Sequence, residues 1–148
     1  MDERERPVPR AGEMRWHAAY FVAQVTAVRA RAARGRLPLD YSVASLRVAD
    51  FLVDGLRKGG RERAQVAAML FGLGAYVGEV LVRHAHAEWV DFDAGQRNYF
   101  AQPVGVRLPD GRVWNPLGKV VNRYEVGNDE SLQTFYLTLH GRHTRATQ

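Results

Sequence analysis

Glu79 is the only side chain charged at neutral pH in the seventeen residues from Val66 to Val82, VAAMLFGLGAYVGEVLV. A carboxylate in so apolar a run is costly to bury without a partner. Burial would raise its pKa and suit it to general acid/base work or to anchoring a ligand. Tyr76, one turn back, Trp89 beyond the run and Arg123 further along are the residues expected to complete such a pocket. The plainer role is an ion pair with Arg83, four residues on, at the edge of a helix. A lone acid with no second carboxylate or nucleophile beside it favours that role. No catalytic residue is assigned: there is no GxSxG motif, and two of the three serines, Ser42 and Ser131, suit helix starts.

His84, His86 and Glu88, in the segment HAHAE, are the one metal-type constellation. On a strand alternate residues face the same way, so two imidazoles and a carboxylate would converge. At a helix end His84 and His86 would diverge by about 160° and could not share an ion. The run from Val66 has no stop before Ala85, so the helical form is expected, with cationic histidines favoured by the helix dipole. Neither a metal nor another cofactor is expected. Gly72, Gly74 and Gly78 lie inside the apolar run without a Lys-Ser/Thr pair, which excludes a phosphate loop. Gly74 and Gly78 instead have the spacing that lets a neighbour approach a helix closely.

These residues need elements to position them. Met14, Ala18, Phe21, Val25, Val28 and Ala32 are spaced 4, 3, 4, 3, 4, which predicts a helix over 12–34 with one apolar seam. That seam packs either on the chain's own core or on a twin in a homodimer, and Trp16, Phe21, Val25 and Val28 are the interface candidates of the second use. Ser42 opens a second helix whose buried face is Val43, Leu46, Ala49, Val53 and Leu56, with Arg47, Asp50, Asp54 and Arg57 toward solvent. Gly59-Gly60 ends it, and a central helix runs from Arg61 to about His84. A helix with no polar face must be enclosed on all sides.

After Trp89 the period changes to two. Residues 89–92 are a strand candidate, and Val104, Val106 and Leu108 lead through Pro109-Asp110-Gly111 to Arg112-Val113-Trp114, a hairpin. Trp114 at the sheet edge is a further interface candidate, since Trp and Arg dominate binding hot spots. Pro116 starts a helix to about Arg123, and a last helix begins near Asp129 with Leu132, Phe135, Tyr136 and Leu139 inward. The fold class is α+β: N-terminal helices on a small antiparallel sheet, then two short helices. The chain divides into an N-terminal arm and helix (1–36), a core domain (37–140) and a tail (141–148) expected to be disordered.

The net charge of +5 hints at nucleic acid until it is divided along the chain. Residues 1–36 carry eight Arg against four acids, 141–148 carry two Arg, and the body between is −1. The arginines near residue 30 do not form one stripe, so nucleic acid is not the expected partner. The absence of cysteine excludes disulfides and thiolate metal sites. The apolar run is shorter than the ~20 residues that span a bilayer. The N-terminus has no apolar core of a secretory signal. Cytoplasmic location with no membrane role is the expectation.

Leu39-Asp40-Tyr41-Ser42 with Ser45-Leu46 and Asp50, Gly74 to Val80, Glu88-Trp89-Val90, Pro116 with Lys119-Val120, and Ser131-Leu132 with Phe135-Tyr136 together resemble a small actinobacterial domain of unknown function. The likeness covers roughly residues 37–140. It implies a fold and a bacterial source but no activity. The reading that follows is a non-enzymatic interaction module of immunity or accessory type, binding an unknown protein or itself. The basic surface does not fit an acidic inhibitor masking a basic nuclease. The competing reading is a ligand-binding protein or enzyme around Glu79, and the third is nucleic-acid binding through the basic arm.

Overall fold

A computed structural model describes residues 8–32, 39–127 and 131–147, with side chains described for 8–27, 39–127 and 131–139. The architecture is α+β, predominantly helical, with one three-stranded antiparallel sheet. Helix α3 (Arg63–His84) is its axis. At 22 residues it outlasts the apolar run and is long and apolar enough, by length and composition, to cross a membrane. Its stretch from Leu70 to Leu81 is instead buried by its own neighbours, Phe71 alone being half-exposed. Enclosure is not complete, however. Val66 and Met69 are only half-buried and Ala67 and Ala68 are exposed, so the helix is covered over its middle and not over its first turns.

Helix α1 (Met14–Ala32) lies along α3 and buries Met14, Ala18, Phe21 and Val25. Phe21 and Val25 are therefore buried within the chain's own fold, and Phe21 fills the surface left open at Gly72, where a Cβ would meet its ring. The side chain of Val28 lies outside the described residues. The charge boundary at residue 36 consequently does not coincide with a packing boundary. A short 3-10 turn before α1 is tied to the sheet, its Ala11 N–H donating to Asp91 Oδ1 at 2.8 Å.

Ser42 caps a 3-10 turn (Val43–Ser45), accepting from Ser45 N–H, and α2 (Leu46–Arg57) follows with Leu46, Ala49, Val53 and Leu56 buried. Gly59 and Gly60, with φ of 85° and 89°, turn the chain into α3. Strand β1 (Glu88–Asp91) pairs with β2 (Val104–Arg107), and β2 with β3 (Val113–Trp114), in the order β1-β2-β3. Val106 faces both Trp89 and Trp114 in register.

Between β1 and β2 stands α4 (Ala94–Phe100), which the period-two reading passes over. Its signal is a capping box: Asp93 Oδ1 accepts from Gln96 N–H and Gln96 Oε1 from Asp93 N–H. Helix α5 (Pro116–Val126) has Pro in its first turn and ends at Gly127, φ 106°. Helix α6 (Leu132–Thr147) runs past residue 141, where a disordered tail is expected.

Candidate functional site

The C-terminal half of α3 brings together three of the four expected pocket residues. Glu79 is 3% exposed. Its Oε1 accepts from Trp89 Nε1–H at 3.0 Å, and its Oε2 lies 3.7 Å from Arg83 Nε. Gly78 makes this possible, because any Cβ there would overlap the six-membered ring of Trp89. The Arg83 guanidinium in turn sits 3.6 Å above the Tyr41 ring, a cation–π contact.

Tyr76 is fully buried and stacks on Tyr41, ring centroids 4.9 Å apart. Tyr41 holds a left-handed backbone (φ 64°), which costs a bulky residue energy and persists only where its surroundings fix it. Three bonds fix it. Its N–H donates to Tyr76 Oη at 2.9 Å, and its carbonyl accepts from His84 Nε2 at 2.8 Å, so that nitrogen carries a proton. Asp40 Oδ1 accepts from Ser42 N–H beside it, and the Ser42 hydroxyl, with that N–H, lowers the pKa of the Asp40 carboxyl. Ser45 Oγ gives its only hydrogen to the Ser42 carbonyl at 2.6 Å. Tyr76 must therefore be the donor in its 2.6 Å bond to Ser45 Oγ. Burial raises the pKa of Tyr76, and that of Tyr41, the latter partly offset by Arg83.

Glu79, Tyr76, Ser45 and His84 each have a partner within the chain. The side chains lock α3 to the Tyr41 turn and to β1. Arg123 is not among them. It is 1% exposed on α5 and donates from Nε to Asp50 Oδ1 at 3.0 Å and from Nη2 to Asp54 Oδ1 at 2.8 Å. Asp50 and Asp54 thus turn inward, where a wet helix face is expected. Asp50 also accepts from Leu132 N–H at 2.9 Å and from Ser131 Oγ, so one carboxylate joins α2 and α5 and caps α6.

The metal-type residues part company. His84 ends α3 on the Tyr41 carbonyl, His86 is exposed with φ 58°, and Glu88 pairs with Arg107 across the sheet. Among the described residues no group of three His, Asp or Glu converges. Trp114 is half-buried with its ring edge-on to Phe135 of α6, 5.7 Å between centroids.

A different surface carries the open space. Helices α1 and α2 both lean on α3 and make at most marginal contact with each other. Between them lies a groove of about 340 Å³ lined by Gln24 and Val25 of α1, by Phe51, Leu52, Gly55 and Leu56 of α2, and by Arg61 and Met69. Phe51 on its rim is 59% exposed. One and two turns back from Gln24, on the same side of α1, Tyr20 and Trp16 are 51% and 61% exposed and stack on each other at 5.1 Å. Of the interface candidates, Trp16 is therefore the one with its ring presented to solvent. Phe51 and Gly55 escape sequence reading because the alternation of α2 marks only its buried face. Compared with family models, with curated proteins and with solved structures, the chain matches none.

Proposed function

We propose that this chain is a non-enzymatic protein-interaction module, of the immunity or accessory kind, that docks a protein partner in the groove between α1 and α2. The observation that carries this reading is the uncovered start of α3. A helix apolar on all sides should be enclosed, yet Val66 to Met69 are left half-buried or exposed, and Met69 lines a groove whose rim holds the exposed Phe51. Large exposed apolar groups beside a preformed groove are the usual anchors of a helix-binding surface. The Glu79 cluster supports a ligand-binding or enzymatic role less well, because its groups are engaged and the groove lies elsewhere. The resemblance to the actinobacterial domain carries no activity, so the reading rests on geometry.

Its test is photo-crosslinking in cells that make the native protein. With p-benzoylphenylalanine in place of Phe51, a discrete cross-linked species is expected; in place of Tyr99, which is 82% exposed on α4, none is expected. Equal labelling from both positions, or from neither, would count against the groove as the docking surface.

A further inference from the structure

The charge around the groove identifies a class of partner. The segment that contributes Arg61 to the lining, from Arg57 to Arg63, reads RKGGRER: four cations and one acid within a body whose net charge is −1. Lys58, Arg61 and Arg63 are exposed, and none forms an ion pair with a described residue. Arg61 itself lines the groove. The first turn of α3 adds to this field. No acid stands in its first turn, and Glu62 at the N-cap, which makes no side-chain bond to the helix, is the one carboxylate set against the positive end of the helix dipole.

The apolar lining and the cationic end occur on one surface. Val25, Leu56 and Met69 offer an apolar bed, and the Trp16–Tyr20 stack extends the same side of α1 for about 12 Å beyond Gln24. A second copy of the chain would bring the same cations to this end, and like charges brought together oppose association.

Resting on the interaction reading above, we infer that the occupant of this groove is an acidic amphipathic helix. Its apolar side chains, spaced i, i+3/i+4, i+7, enter between α1 and α2. Its carboxylates meet Arg61, Lys58 and Arg63 at the open end of α3. Gly55 supplies a way to close the groove without disturbing the core. It lines the groove on α2, and a Cβ placed there meets nothing within 4 Å.

The probe is a fluorescein-labelled helical peptide of about 14 residues with Leu at those anchor positions and Glu on the remaining face, titrated against the full chain by anisotropy. Its counterpart carries Lys for every Glu. The Glu peptide is expected to bind at least about tenfold more tightly than the Lys peptide at low salt, and to lose much of that advantage at high salt. Gly55→Phe should abolish binding, and the pair Lys58→Glu with Arg61→Glu should reverse the preference. Equal binding of the two peptides would overturn the acidic partner while leaving the groove a docking site. A dimer in sedimentation that Gly55→Phe dissolves would make a second copy the occupant and overturn the inference likewise. Failure of both peptides overturns it too; the interaction reading falls with it only if Gly55→Phe also leaves cross-linking from Phe51 unchanged.

Discussion

The two ends of α3 are built from the same kind of residue and end in different surroundings. From Leu70 to Leu81 the helix is enclosed by α1, α5 and the sheet, with glycine wherever a neighbour comes closest. Gly74 admits the backbone of Leu117, whose Cα would lie 2.9 Å from a Cβ there, and Gly78 admits the Trp89 ring. From Val66 to Met69 the same apolar character is left partly uncovered, and Met69 lines a groove. The closed end is where stability is concentrated; the open end is where a partner can be recognised at little cost to the fold.

The comparison is sharpened first at Arg123, on the side of α5 that faces α2. Arg123→Ala would leave Asp50 partly buried without its counter-ion. A loss of about 3 kcal/mol is expected, the low end for breaking a buried pair because Asp50 retains some exposure and its α6 donors. Chemical denaturation measures it, and a loss below ~1 kcal/mol would mean that the α6 N–H groups alone hold the carboxylate.

Next is Gly78→Leu, which forces a side chain into the Trp89 ring and should cost at least ~1–3 kcal/mol. An unchanged melting temperature would contradict the close packing of the closed end. Tyr76→Phe removes the acceptor of Tyr41 N–H and the donor to Ser45, with an expected loss of about 1–2 kcal/mol.

The same phenol gives a pH dependence. Its folded pKa is raised above the ordinary 10.0, so its contribution is intact below pH 10.0 and is lost as pH rises above that value, because the unfolded chain ionises first. Tyr41 and Tyr136 shift in the same direction, so Tyr76→Phe should flatten the alkaline fall in part. A variant as steep as the wild type would remove Tyr76 from that account.

The smallest effect belongs to the open end. Gly55→Phe should change stability by no more than ~0.5–1 kcal/mol in either direction, since helix propensity gains what a newly exposed ring does not. If it destabilises as much as Gly78→Leu, the groove is a packed part of the core and the contrast between the two ends fails.

Much of the frame was legible in the residues. The seam of α1, the Asp110-Gly111 hairpin, Pro116 at the start of α5 and the apolar length of α3 are local signals, and each produced its element. Helix α4 also had a local signal in Asp93 and Gln96, hidden by following the period of two from the strand at 89–92 to the hairpin. Arg123 and the two aspartates were not legible, because an Asp on a charged helix face looks the same whether water or a distant arginine answers it. The i, i+4 pairing of Glu79 with Arg83 could be read from spacing, and Trp89 was expected beside it; the hydrogen bond from the indole N–H, which depends on Gly78 admitting the ring, could not.

By itself the sequence determined which segments become helix or strand, because capping, turn chemistry and hydrophobic period act over a few residues. It also determined that α3 must be the axis, since only the rest of the fold can cover a helix with no polar face. The tertiary structure alone decided which neighbours cover it and where they stop. That outcome depends on how α1 and α2 splay across a common partner, a geometry set by side chains far apart in sequence. The groove, its exposed aromatic rim and the cations at its end exist only once those helices are in place.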